Sequence, residues 1–307
     1  MRITRMHRMI VVLDAPSNLG LRPPAPGLEP GCRRMADALR TCGLPDRLEA
    51  EDAGRVEPPP YSPERDPRTG LLNAAGIAEY TVTLADRVAA LLDGPKLPVL
   101  LGGDCSILLG PMLAMRRAGT YGLVAIDGSV DFRHPGNSAK VGAVAGEALA
   151  VGTGRGHPAL TDLEGRRPYV RDEHVVALGH RSDLREYAPD IPDSAITEYD
   201  VSAIRRLGPE AVAAGAVGYL AAQGVDGFWL HVDVDSLDPA VMPAVDAPDP
   251  DGLSFGELIS IVQVLVTSPL AAGAQFVIFD PDLDPDGRLA AELTEAIATA
   301  LRPRTDR

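Results

Sequence analysis

The acids of this chain that could do chemistry come in pairs at the ends of apolar runs. Asp127 and Asp131 are four apart in Asp127-Gly128-Ser129-Val130-Asp131, and Asp233 and Asp235 are two apart in Asp233-Val234-Asp235-Ser236-Leu237-Asp238-Pro239. A carboxylate at the end of a buried strand is costly unless it is paired, protonated or bound to a cation. If the four converge, they cannot all stay ionised at neutral pH without a compensating charge. A bound divalent metal is the simpler account. A third segment, Gly102-Gly103-Asp104-Cys105-Ser106, follows another apolar run. Its glycines permit a tight turn before a helix, and Cys105 would then face the same site. Oxygen ligands favour Mn²⁺, Mg²⁺ or Ca²⁺, while a thiolate pulls the preference toward Zn²⁺ or Fe²⁺.

Strands must carry these turns. Residues 9–13, 98–101, 122–127, 174–179, 227–233 and 275–279 read as strands, and 75–92, 107–117, 209–222, 255–266 and 287–301 as helices. This alternation predicts a three-layer α/β/α fold with a central, mainly parallel sheet covered on both faces. Neither a linker nor a repeat divides the chain, so residues 1–307 read as one domain. The proline-rich stretches 23–30 and 58–67 read as ordered surface loops. Ligands of such sheets sit beyond the carboxyl ends of the strands, which is where the acidic motifs fall.

A formal charge of −14 disfavours nucleic acid and anionic membrane surfaces as partners and suits a cationic small-molecule substrate. No apolar run is long enough to span a bilayer, and the amino-terminal one, without a cleavage site, reads as the first strand. Cys32, Cys42 and Cys105 do not form a disulfide framework, so a reducing cytoplasm is the expected location.

The motifs together resemble those of the arginase and agmatinase (ureohydrolase) family, which includes the formiminoglutamases. Residues 102–106 look like its GGDHS, 127–131 like its DxHxD and 233–239 like its DVDxLDP; residues 14–20 and 27–31 are also similar, and the resemblance runs from about Val11 to Leu301. It implies an arginase/deacetylase-like fold, a trimeric or hexameric assembly, and two manganese ions whose bridging hydroxide attacks a guanidinium carbon. By position, Asp127 and Asp233 would bridge the ions. Asp131 and Cys105 would complete the first site, Asp235 and Ser129 the second. The departures are specific: Cys105 and Ser129 stand where the family has ligating histidines, Ala145 near its proton-shuttling histidine, and Ile278 near a helper acid. Unequal metal sites follow, with the first favoured for one or two Mn²⁺ ions and Mg²⁺ or Zn²⁺ as alternatives.

Each of the remaining candidates has a plainer reading. Cys105 is a ligand, an inert buried thiol or, least readily, a nucleophile, since nearby carboxylates raise its pKa. His134 either moves protons or faces solvent, and Asn137 and Ser138 in the same loop would contact substrate. Asp183 falls one position from an amine-binding acid of arginases. His231 shares a strand face with Asp233 and Asp235 but reads as a core histidine, and Asp246, Asp249 and Asp251 read as turn residues. Two functions remain: a hydrolase of a linear amidine or guanidino C–N bond, or a catalytically silent relative with a binding or oligomeric role.

Overall fold

The computed structural model describes residues 8–92, 94–183, 188 and 190–302. Eight strands form one sheet: β1 (Met9–Asp14), β2 (Glu51–Arg55), β3 (Lys96–Leu101), β4 (Tyr121–Ile126), β5 (Val175–Leu178), β6 (Thr197–Tyr199), β7 (Gly227–Asp233) and β8 (Ala271–Val277). Their order is β2-β1-β3-β8-β7-β4-β5-β6, and every neighbouring pair is parallel. The sheet is thus fully rather than mainly parallel. Helices cover both of its faces. Ala74–Leu92 packs against Leu109–Ala118, while Phe255–Val266 packs between Pro209–Ala222 and Arg288–Leu301. Among the described residues no helix is long and apolar enough to cross a membrane.

The central strands are apolar because both their faces are covered: all seven residues of β7 are buried. Edge strands β2 and β6 had no apolar run to reveal them; β2 is Glu51-Asp52-Ala53-Gly54-Arg55, half-exposed, with no residue in the core. The stretch expected as one helix over 107–117 begins instead as a 3₁₀ turn, Cys105–Leu108, before the α-helix Leu109–Ala118.

Winding reverses after β3, because β4 is laid down beyond β8 and β7. Leu101 pairs with Phe276, Asp233 with Val277 and Val232 with Ile126, so β3, β8, β7 and β4 end at one level and their following loops share a crevice. Two devices shape it. A Cβ on Gly103 would overlap the Ser17 carbonyl, so only glycine lets these loops pack. Buried Asp104 then accepts hydrogen bonds from the backbone N–H of Gly20 (2.9 Å) and Ser106 (2.7 Å), although burial pushes its carboxyl up to about 6.

Candidate metal centre

Asp127 follows β4, and its Oδ1 accepts the N–H groups of Ser129 (2.6 Å) and Val130 (2.8 Å). The chain then turns through two left-handed residues, Val130 (φ 72°) and Asp131 (φ 52°), which swings the Asp131 carboxylate back over the strand ends. Such conformations cost about 1–3 kcal/mol each and persist only where the surroundings impose them. Asp233 ends β7, and its Oδ1 caps the next turn by accepting the N–H of Asp235 at 2.7 Å. Asp235 Oδ1 accepts from Gly128 N at 3.0 Å, which locks the β7 loop to the β4 loop. Arg181 secures the same loop from outside by donating to the carbonyl oxygens of Asp235 (3.0 Å) and Leu237 (3.2 Å).

These turns bring the acids together. The Cys105 thiol donates to Asp233 Oδ2 at 2.7 Å, and the Ser129 hydroxyl donates to Asp131 Oδ1 at 3.3 Å. One ligand atom each of Cys105, Asp131, His231 and Asp233 lie within 4.8 Å of one another, and so do those of Asp127, Asp233 and Asp235. Asp233 belongs to both groups, so the two sets of candidate ligands adjoin at its carboxylate. Asp131 Oδ2 is buried and has no hydrogen-bond partner.

The electrostatics describe a site short of positive charge. Burial, then the charges of Asp127 and Asp235, holds the Asp131 carboxyl well above the usual carboxylate range. Burial, then Asp235, Asp127 and Asp131, does the same to Asp233. Asp235 is pushed up to about 7 by burial and Asp127, against the opposing pull of the Gly128 N–H. Burial and Asp233 raise the Cys105 thiol, so it is protonated at neutral pH and poorly suited to nucleophilic attack. Burial lowers the His231 imidazole to about 4, which leaves it neutral. A divalent cation fits this donor set: carboxylate oxygens dominate, one thiol adjoins them, and one buried carboxylate oxygen, Asp131 Oδ2, has no partner.

The cavity above the acids is about 160 Å³ and includes Cys105, Ser129, Asp131, Asp233 and Asp235 in its lining. Ala145 and Ile278 also line it, so apolar side chains stand at both positions where the family pattern would carry a proton or a charge. Arg22 and Arg133, which the sequence reading did not single out, form part of the wall, and Asp246, expected only as a turn residue, joins them. Asp251, at φ 63°, is a turn residue as expected.

Four other expected site residues do not line this cavity. The His134 ring is held by Asp190 (Nε2 to Oδ2, 2.9 Å) and by the Gly136 N–H, and it does not line the cavity. Asn137 donates to the Phe132 carbonyl (2.9 Å) and Asp190 Oδ1 (2.7 Å), while its own oxygen accepts from His134 N. Ser138 Oγ accepts from Lys140 N at 3.0 Å. These three side chains hydrogen-bond to their own loop and to Asp190, and none of them lines the cavity. Asp183 is exposed and lines a separate cavity beside His180 and Glu198. His231, expected in the core, is buried there as read, yet it also belongs to the ligand group. Strand alternation was its available signal.

A profile described as the arginase family matches residues 9–301. The arginase of Bacillus subtilis (strain 168) is 30% identical over 302 residues, covering 95% of this chain and 98% of that protein. The arginase of Bacillus caldovelox is 31% identical over 263 residues, covering 83% of this chain and 87% of its own, and its solved structure superposes with a TM-score of 0.85 across 97% of this chain and 99% of that one. The proclavaminate amidino hydrolase of Streptomyces clavuligerus, 18% identical, shares the fold with a TM-score of 0.70 over 96% of this chain and 90% of its own. With a match that spans nearly its whole length, the chain belongs to the arginase family.

Proposed function

We propose that this protein hydrolyses a C–N bond of a guanidino or amidine compound at a divalent-metal centre held by Asp127, Asp131, Asp233, Asp235 and Cys105. The observation that carries the reading is the convergence of four aspartates on one crevice, with Asp233 common to two ligand groups. When bound, the cation would neutralise the acids and lower the pKa of its water. The chain's own groups have definite tasks. Asp233 would serve both ligand groups and Asp127 would complete the second, while Ser129 holds Asp131 and the Gly128 N–H fixes Asp235. Arg22 and Arg133 on the wall suit a carboxylate at the far end of a substrate whose cationic head meets the acids. Manganese is favoured on family grounds, and Cys105 draws the first position toward zinc.

A second reading, a catalytically silent relative, is favoured by Ala145 and Ile278, since neither side chain can move a proton at the cavity. Metal content separates the two. Protein purified without chelator and then incubated with Mn²⁺ should hold one or two equivalents per subunit, lost in Asp127→Ala and Asp233→Ala. It should release urea, ammonia or amine from a member of a guanidino and amidine panel in a chelator-sensitive way. Absence of specific metal, or metal without turnover on any such compound, would leave the silent reading.

A further inference from the structure

We infer that His231 serves this centre as a hydrogen-bond donor through Nε2–H, not as a metal ligand, because Trp229 and Gln275 fix its tautomer. His231 on β7 pairs with Gln275 on β8, and Trp229 lies two residues earlier on the same face of β7. The three side chains are 1%, 0% and 0% exposed. Trp229 Nε1, which can only donate, lies 2.9 Å from Gln275 Oε1, and that contact orients the amide. Gln275 Nε2 is therefore the atom 2.8 Å from His231 Nδ1. An amide nitrogen also only donates, so Nδ1 accepts and the ring proton sits on Nε2.

Nε2 is buried and has no hydrogen-bond partner of its own. The ring is grouped with Cys105 Sγ and carboxylate oxygens of Asp131 and Asp233, and Asp131 Oδ2 is likewise buried without a partner. Ligation through Nε2 would move the proton to Nδ1 and set it against the Gln275 amide hydrogens. Turning the amide would instead set those hydrogens against the Trp229 N–H. Either way two buried donors oppose each other, which is costly. Metal-ligating histidines present the reverse arrangement, with an acceptor behind the far nitrogen. His231 is thus a positioning residue that offers a neutral N–H to an oxygen ligand of the centre. Only its service to a metal rests on the proposed function, because the tautomer stands without one.

Long-range ¹H–¹⁵N spectra of the histidine-labelled chain test this at pH 7.5, with the His231 signals assigned by their loss in His231→Asn. The expected pattern is a protonated Nε2 and a bare Nδ1, in metal-free protein and again after addition of Mg²⁺ or Zn²⁺. A proton on Nδ1 with a bare or metal-shifted Nε2 would overturn the inference. Failure to bind metal would overturn the proposed function while leaving the metal-free spectrum decisive. In Gln275→Glu the new carboxylate can accept from both Trp229 and Nδ1–H, which frees Nε2. A folded variant should show the switched tautomer and bind Zn²⁺ about tenfold more tightly or better. An unswitched tautomer in that folded variant would show that Gln275 does not set it.

Discussion

Buried Asp14 and the site aspartates differ in what answers their charge. Asp14, 2% exposed, takes Arg40 at 2.9 Å and Arg55 at 3.1 Å, so its charge is compensated within the fold. The site aspartates take backbone N–H groups, a hydroxyl and a thiol, which orient them without neutralising them. Cys105 is the sharpest test at this scale, because its hydrogen bond to Asp233 is that of a thiol which a metal would displace. In Cys105→Ser the hydroxyl keeps the donor and removes the soft ligand. Zn²⁺ affinity should fall by about tenfold or more, a loss comparable to that of removing an outer-shell partner, while Mn²⁺ affinity holds. Competition titrations of the two metals read this directly. Equal weakening of both, or of neither, would count against ligation by the thiol. Spacing at strand ends, together with the family resemblance, pointed to one crevice for the four acids and Cys105, because each lies at or just after the end of a strand. It could not place His134, Asn137 and Ser138, whose loop closes on Asp190, a residue more than fifty positions away.

The elements show the same division between what a local pattern records and what tertiary contacts decide. Six of the eight strands were legible as apolar runs because they are covered on both faces, whereas β2 and β6 are polar edge strands whose pairing comes from their neighbours. Backbone hand was not legible either: nothing about Val130 or Ile278 advertises positive φ, since β-branched residues avoid it. Ile278 (φ 76°) follows β8 directly and is pinned by its N–H to the Gly103 carbonyl at 2.8 Å. Ile278→Ala and Ile278→Gly remove the same packing to within a methyl group, yet only glycine relieves the left-handed strain. Ile278→Gly should therefore be the more stable of the two by about 1 kcal/mol, the reverse of the usual order, as measured by urea unfolding. Alanine matching or exceeding glycine would mean that the turn is not strained.

For the whole molecule, the acid cluster links folding, protons and metal. The Asp235 carboxyl rises from 3.8 to about 7 on folding, and Asp131 and Asp233 move in the same direction. A raised carboxyl means that the folded chain binds more protons than the unfolded one. Its contribution is then fully present below about pH 4 and is lost as pH climbs through about 7. The metal-free protein should accordingly lose thermal stability between pH 5 and pH 8, by on the order of a few kcal/mol from this cluster. Asp235→Asn, which cannot ionise, should flatten part of that slope, and the difference between the two proteins removes titrations elsewhere in the chain. A cation binds the ionised acids, so it competes with those protons. The rise in Tm on adding Mn²⁺ should be larger at pH 8 than at pH 5.5, and it should shrink in Asp235→Asn at both. Parallel pH profiles for the two metal-free proteins would mean that Asp235 ionises freely in the folded chain, and the cluster would then need no cation to hold its charge.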